Sequence, residues 1–528
     1  MSRLGAGLGQ LRAAGGFFTG LGPFLRRRPA IPAARLALER GLETREQRLA
    51  FLLRHAVFGR PRSPYRALFG WAGIELDEAI RMLEQSGLEE TLCRLHRAGV
   101  RVGLEEFKGL RPLARPGLEL PLCAEDFDNP LGAGHYESRT GGSGGAPRRI
   151  LIGLELLEHE TAYHALFYAG DRFPRRPAAM WLPAPPGAVG IKNALIRARL
   201  GLPVARWYSQ TDPAAAPARH RAFAGAVRLA ARAHGSRIPL PEHTPPGQAG
   251  RVADFLATAR ASDGPAVLLT TPSSAVRICA AAADRGLDIA GTLFVVVGEP
   301  WTAGKAGVIA RAGCTGASHY AMVEAGMIGL ACRRPTAPDD VHLVSDKIAT
   351  IESTSATSGS NGVPALFHTT LLPSSPKLML NVESGDHGTL EERDCGCGVL
   401  PPGYRRHLHS IRSHEKLTSE GMHFLGADLL VLLEQVLPER FGGRPTDFQL
   451  VEGEIGGIPR VSLVVSPAVG PLDAGEAVRV TLDFLRRRGV GQRLMAEVWE
   501  SGGTIEVVRA EPHVTPAGKI QPLQRLWE

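Results

Sequence analysis

The chain has 528 residues, 44% apolar and 22% charged, with a formal charge of +8 and a pI near 9.3. That length exceeds what one hydrophobic core organises and predicts two or more domains, while no stretch of about 20 residues is apolar enough to span a bilayer. Seven cysteines in so long a chain make no disulfide framework and point to a reducing, cytoplasmic setting; basic residues cluster only at Arg26–Arg28 and Arg486–Arg488, without interleaved aromatics, so nucleic-acid binding is not expected.

The first 35 residues include GGFFTGLGPFLRRRPA, in which the arginines follow the apolar run, the reverse of a secretory signal. They predict a frayed or surface-lying segment, with peripheral membrane contact by the N-terminus as the alternative. From Leu36 to Arg115 the apolar spacing of RLAFLLRHAVF and LDEAIRMLEQSGLEETLCRLHRAG predicts several short helices. Beyond them, AVLLTT (Ala266–Thr271) and GTLFVVVGEP (Gly291–Pro300) have the length and β-branched content of buried strands, with the helical SSAVRICAAAADRG between. That alternation predicts an α/β domain. Pro183 to Pro246, rich in Ala, Pro and Arg, yields no assignment. Near Ser410 the texture changes: ADLLVLLEQVLPERF and GEAVRVTLDFLRRRG read as helices, RVSLVVSP and TIEVVRAE as strands, together a compact α+β unit.

Several stretches carry chemistry. SRTGGSGGAPRR contains Gly142, Ser143, Gly144, Gly145 and Arg148; glycine amides, a hydroxyl and a guanidinium make a phosphate cradle, or else the run is a flexible linker. It lacks the lysine of the Gly-Lys-Ser ATP-binding pattern. In VVVGEPWTAGK, Gly298, Glu299 and Pro300 follow a buried-strand run, where ligand sites open in parallel sheets. SHYAMVEAG places Tyr320 and Glu324 four apart, and LMLNVESGDHGTL presents Asp386 in a Ser-Gly-Asp turn. In RDCGCGVL, Cys395 and Cys397 flank one glycine, a metal or redox pair unless they are two unremarkable thiols. Cys332 and His342 lie upstream; Cys93, Cys123, Cys279 and Cys314 read as ordinary buried thiols. Lysine occurs only seven times, and Lys519 stands in VTPAGKIQ near the chain end, a solvated turn lysine or a functional one.

In this order the motifs resemble the adenylate-forming superfamily, and within it the phenylacetate-CoA ligase branch with its capsule-associated relatives. The resemblance covers most of the chain, including LAFLLRHAVFGRPRSPYRALFGWAGI and GEPWT. It implies a large N-terminal domain with a helical entry (1–115) and an α/β core of mostly parallel or mixed sheets (116–410), a hinge (411–416), and a small mobile C-terminal α+β lid (417–528). It further implies that Gly142, Ser143, Gly144, Gly145 and Arg148 hold ATP phosphates, Glu299 belongs to the nucleotide site, Tyr320 stacks on adenine, Glu324 holds Mg²⁺, Asp386 accepts from the ribose, Arg412 assists beside the hinge, and Lys519 reaches the carboxylate and α-phosphate oxygens. An ammonium is a compact charge on a flexible stem, suited to a group that enters and leaves with a turning domain. A structural zinc on Cys332, His342, Cys395 and Cys397 is implied likewise, with His387 as the substitute for His342. The sequence departs from the pattern at Gly144, which replaces a hydroxyl, at Arg148, His414 and Glu415, and at Thr418.

The leading expectation is therefore an ATP-dependent ligase that adenylates a carboxylic acid and passes the acyl group to coenzyme A. The alternatives are an adenylyl transferase acting on a hydroxyl of a larger molecule, and a nucleotide-binding scaffold with a weakened loop. Trp301 and Met327 suggest an aryl or apolar acid; a homodimer is left open.

Overall fold

The computed structural model describes residues 3–132, 136–139, 149–169, 176–185, 187–354, 364–413, 416–417, 424–488, 490–513 and 523–526. The chain opens with helices α1 (Arg3–Arg26), α2 (Ile31–Glu43), α3 (Arg45–Leu52), which runs on into a π-helical turn at Leu53–Phe58, α4 (Pro64–Ala72), α5 (Leu76–Arg97), broken at Gly87, and α6 (Leu104–Phe107). Two hairpins follow, β1 (Leu113–Arg115) with β2 (Leu118–Leu120) and β3 (Tyr136–Arg139) with β4 (Arg149–Ile152), then α7 (Leu154–Tyr168). The alternating part runs β5 (Ala178–Trp181), α8 (Ala188–Leu200), β6 (Arg206–Ser209), α9 (Ala218–Ala233), β7 (Pro241–His243), α10 (Ala249–Ser262), β8 (Val267–Thr270), α11 (Pro272–Asp284), β9 (Leu293–Val297) and α12 (Ala303–Arg311). Strands then dominate: β10 (Thr315–Met322), β11 (Gly326–Ala331), β12 (Val341–Leu343), β13 (Ile348–Thr354), β14 (Pro364–Thr370), β15 (Val382–Glu383), β16 (Asp386–Glu392) and β17 (Arg406–Ser413).

Ten of these strands form one sheet in the order β16-β17-β12-β11-β10-β9-β8-β5-β6-β7, parallel from β7 to β10 and antiparallel from β10 to β16. Strands β5, β8 and β9 are apolar almost throughout because both faces are covered. On one face Trp181, Phe294 and Trp301 pack with α10, α11 and α12; on the other Met180, Leu269 and Val295 join the core of α7, α8 and the entry helices. The chain is thus α/β, and the uninformative 183–246 stretch supplies two outer strands and two helices.

The N-terminal segment departs from the expectation of a frayed or surface-lying piece. Phe17, Leu21, Phe24 and Leu25 share one face of α1 and are at most 4% exposed, and Phe17 sits edge-on to Tyr136. From Phe17 onward the apolar face that a membrane would take is already covered by protein. No helix among the described residues is long and apolar enough to cross a membrane.

The C-terminal residues form β18 (Lys416–Leu417), β19 (Phe424–Leu425), α13 (Gly426–Val431), α14 (Leu437–Phe441), β20 (Phe448–Ile455), β21 (Ile458–Val465), α15 (Ala474–Arg488), α16 (Val490–Gly502), β22 (Ile505–Arg509) and β23 (Leu523–Leu526). A sheet ordered β22-β21-β20-β23 packs on α15 and α16 around a core of its own, including Leu432, Leu450, Leu463, Leu482 and Trp499.

One buried ionic contact ties the large layers together. Glu160 on α7 accepts from Lys347 Nζ at 2.5 Å, from Lys192 Nζ on α8 at 2.9 Å and from Met327 N on β11 at 2.7 Å. Burial alone would push its carboxyl up; the two ammonium groups outweigh that and hold it well below the usual range. Gly326, at φ 77°, leaves the room: a Cβ there would stand 2.0 Å from Glu160 Oε1. Glu160→Gln keeps the shape but leaves Lys347 buried against a neutral amide, so it should lower unfolding stability by roughly 3–5 kcal/mol. Urea denaturation followed by circular dichroism measures this, and an unchanged midpoint would mean the contact contributes nothing net.

Candidate functional site

Three of the predicted residues, Glu299, Tyr320 and Asp386, lie toward the C-terminal ends of the parallel strands. Glu299 follows β9 and its side chain is 1% exposed; its carboxylate accepts from Ser273 N at 2.9 Å and Ser273 Oγ at 2.7 Å, which fixes it at the first turn of α11. Next to it, β10 pairs in parallel with β9 as far as His319↔Val297, then antiparallel with β11 from Tyr320, with a register shift between Tyr320 and Ala321. A bulge of this kind re-aims a side chain. The Tyr320 hydroxyl donates to Asp386 Oδ2 at 2.7 Å and lies 3.4 Å from His368 Nε2 on β14. Asp386 begins edge strand β16, four places away from β10 in the sheet order, so the antiparallel half must curl to bring the two together. Burial first, and the Asp386 charge second, hold the Tyr320 phenol well above its ordinary value, so it stays a protonated donor. Glu324 stands half-buried in the β10–β11 turn, where its carbonyl accepts from Lys377 N at 3.3 Å. It belongs to no group of clustered metal-ligating atoms among the described residues. A Mg²⁺ that keeps waters and phosphate oxygens asks for only one or two protein carboxylates.

Arg412 is placed differently from Asp386. Across the β16–β17 ladder Asp386 pairs with Ser413 and His387 with Arg412, so the pleat turns Arg412 to the other face. There it donates to Asp339 Oδ2 at 2.9 Å and lines a cavity of about 540 Å³ with Glu352, His387 and Ser410. Asp339 also accepts from Ser410 N and Ile411 N at 2.9 and 2.8 Å, holding Ser410 at a positive φ of 54°.

At the far end of the same hairpin lies the candidate metal centre. The ligand atoms of Cys332, His342, Cys395 and Cys397 all fall within 4.8 Å of one another. Tetrahedral zinc with Zn–S bonds of about 2.3 Å needs sulfurs about 3.8 Å apart, so the donor set fits. His342 Nε2 faces Cys397 Sγ at 3.1 Å and Cys395 Sγ at 3.6 Å, while its Nδ1 lies 3.1 Å from the Tyr404 carbonyl. A carbonyl accepts only, so Nδ1 carries the proton and Nε2 keeps a free lone pair, the tautomer a metal requires. The hydrogen bond from Cys332 drives the Cys397 thiol down and raises Cys332 itself. Asp340 and His407 flank the cluster at 2.8 Å from each other, and Arg393 pairs with Asp340.

Several expectations need correction. His387 is at the opposite end of the β16–β17 ladder from Cys395 and does not substitute for His342. Trp301 is 3% exposed and packs among α10–α12, over Gly316, whose absent Cβ would stand 2.3 Å from its ring; it is a core residue. Met327 is likewise buried in the core. Of the four ordinary thiols Cys279 and Cys314 are buried, but Cys123 is exposed and Cys93 half-exposed. Gly142, Ser143, Gly144, Gly145, Arg148 and Lys519, with His414, Glu415 and Thr418, lie outside the described residues. Sequence reading missed Ser273, Asp339, Glu160 and Lys305; the lysine among them had a signal in the scarcity of lysine.

No family model and no curated protein matches the sequence. Solved structures resemble the chain at low identity. They include a variant of o-succinylbenzoate CoA synthetase from Bacillus subtilis (11% identity, 73% of this chain and 67% of that one, TM-score 0.40). Acetoacetyl-CoA synthetase from Streptomyces lividans follows at 14% identity, 74% and 55% coverage and a TM-score of 0.33, and IdnL1 at 12% identity, 90% and 92% coverage and a TM-score of 0.38.

Proposed function

We propose that the protein activates a carboxylic acid with ATP, forming an acyl-adenylate and pyrophosphate, and then transfers the acyl group to the thiol of coenzyme A with release of AMP. The observation that carries this reading is the Tyr320–Asp386 contact beside Glu299 at the parallel strand ends. It joins an aromatic face for a base, a carboxylate for sugar hydroxyls and a strand-end crevice in one place. Glu324, on the turn that follows Tyr320, is the carboxylate available to Mg²⁺ bound with the phosphates. The glycine-rich 142–145 loop and Arg148 would hold the phosphates, and Lys519, from the 417–528 unit, would meet the negative charge that builds on the α-phosphate during attack.

Two substitutions separate the roles given to Asp386 and Lys519. Asp386→Asn keeps an acceptor for the Tyr320 hydroxyl but removes the charge, so ATP affinity should fall by about tenfold even without acid. Lys519→Ala should bind ATP nearly normally and lose about 10² to 10³ in pyrophosphate exchange. It should still convert a supplied acyl-adenylate to thioester. Isothermal titration and exchange assays over a panel of aryl and apolar acids measure these effects. Unaltered ATP binding by Asp386→Asn would sink the nucleotide assignment, and equal loss of both half-reactions would sink the role given to Lys519.

A structural zinc on Cys332, His342, Cys395 and Cys397 belongs to the same reading; with four protein ligands it offers no open position for substrate. Purified protein should carry about one zinc per chain by elemental analysis, and Cys395→Ser should bring this near zero and lower the melting temperature. Metal-free protein after gentle purification would refute the site.

A further inference from the structure

The C-terminal unit meets the large sheet's helices at the tip of the β20–β21 hairpin and at the end of α16, where a Cβ on Gly247 would stand 3.2 Å from the Ser501 carbonyl and one on Gly502 3.0 Å from Arg277 on α11. Its turn is Gly456–Gly457, with φ of 59° and 81°, as a two-residue loop between Ile455 and Ile458 requires. A Cβ on Gly457 would stand 3.0 Å from Val308 Cγ2 on α12 and 3.4 Å from both Val276 methyls on α11, so the tip lies between those two helices. Just before the turn, both carboxylate oxygens of Glu454 accept from Thr302 Oγ1 at 2.9 Å, and Oε2 lies 3.4 Å from Lys305 Nζ. Thr302 is the N-cap of α12, and Gly304 leaves the opening, since a Cβ there would stand 2.6 Å from Glu454 Oε1.

The seat is buried and charged. Lys305 is 1% exposed and Glu454 13%, and Lys305 Nζ also stands 4.0 Å from Glu299 Oε2. Thus one ammonium lies between two carboxylates, one from the strand-end site and one from the C-terminal unit. When Glu454 leaves, Lys305 retains Glu299 and the Pro300 carbonyl at 3.1 Å, and no bare buried charge is left behind. The contact is therefore specific when made and cheap to release.

We propose that Glu454 is a positioning residue: seated on Thr302 and Lys305, it holds the C-terminal unit in one orientation beside Glu299, and it leaves that seat whenever the unit turns. The consequence for catalysis rests on the function proposed above; the seat itself does not. On that function Lys519 acts in the adenylation step and not in thioester formation, so the strength of this seat sets how the enzyme divides its time between the two half-reactions.

Hydrogen exchange by mass spectrometry on the full chain tests the seat without substrate. Glu454→Ala, and independently Gly304→Ala, whose Cβ would stand 2.6 Å from Glu454 Oε1 and wedge it off its seat, should raise exchange roughly tenfold or more at the start of α12 and at the hairpin tip, with α15 unchanged. Glu454→Asp should restore part of the protection, and Ile455→Thr, at a side chain 65% exposed, should match the parent. In turnover, Glu454→Ala should change the ratio of the two half-reaction rates while the KM for ATP stays constant. Unchanged exchange in both Glu454→Ala and Gly304→Ala overturns the proposal, as does loosening spread through α15 and the core of the C-terminal unit, the mark of a folding defect. If Glu454→Ala does not fold, Gly304→Ala decides alone. Local loosening in variants of a protein that shows no pyrophosphate exchange with any acid would leave the seat standing and remove the adenylation reading.

Discussion

Strand β10 is the constraint around which the rest of the molecule is arranged. On one side it continues a parallel ladder, whose strands need crossover helices and so acquire cover on both faces; on the other it starts an antiparallel ladder of hairpins. The change of sense falls at Tyr320, and the ladder is irregular there because two hydrogen-bonding geometries meet in one residue. That irregularity turns the Tyr320 ring away from the sheet toward β14 and β16, and the curl of the antiparallel half supplies Asp386 to meet it. The strand-end carboxylate Glu299 stands at the same level from the parallel side. A crevice at a switch point of this type needs no dedicated loop to exist; it follows from the two ladders diverging.

Electrostatics reinforce the arrangement through lysines in particular. Arginine carries nearly all the positive charge, but Lys108, Lys305, Lys347 and Lys377 are at most 9% exposed, and Lys192 has a side chain 14% exposed. Four of these five are placed where a compact charge joins segments far apart in sequence: Lys347 and Lys192 to Glu160, Lys377 to Asp128, Lys305 to Glu454. A guanidinium could not enter the space between Glu160 and Gly326, where even a single Cβ has no room. Scarcity of lysine was thus a readable signal, although it pointed to Lys519 alone when its larger meaning was buried pairing.

What was legible in the sequence was local. The apolar runs of β8 and β9, the intervening α11 and the C-terminal alternation of strands and helices need only short windows, because period and composition set them. The grouping of Cys332 and His342 with Cys395 and Cys397 was legible despite the long gap between Cys332 and His342, and the structure shows why the gap does not matter. Those two residues close the hairpin between adjacent strands β11 and β12, and a hairpin returns its ends to each other whatever its loop length. Cys395 and Cys397 lie in the loop between β16 and β17, and β17 pairs with β12 at His342↔His407. What was illegible was anything that depends on sheet curvature or on a turn of the pleat: the opposite faces of Asp386 and Arg412, the core position of Trp301, and the coverage of α1.

The β16–β17 hairpin connects the two ends of this arrangement mechanically. Its loop carries two of the clustered thiols, and its open end carries Asp386 and Arg412 just before residues 414 and 415. The neighbouring acidic pair Asp339–Asp340 braces both ends from one segment: Asp340 engages His407 and Arg393 next to the thiols, while Asp339 binds Arg412 and the amides of the strained Ser410 turn. Because the two carboxylates are consecutive, a shift of the thiol cluster along the strand would drag Asp339 with it and disturb Arg412. A structural metal at that cluster would therefore act on the strand-end site without touching it, by fixing the segment from which Asp386 and the residues following Ser413 depart.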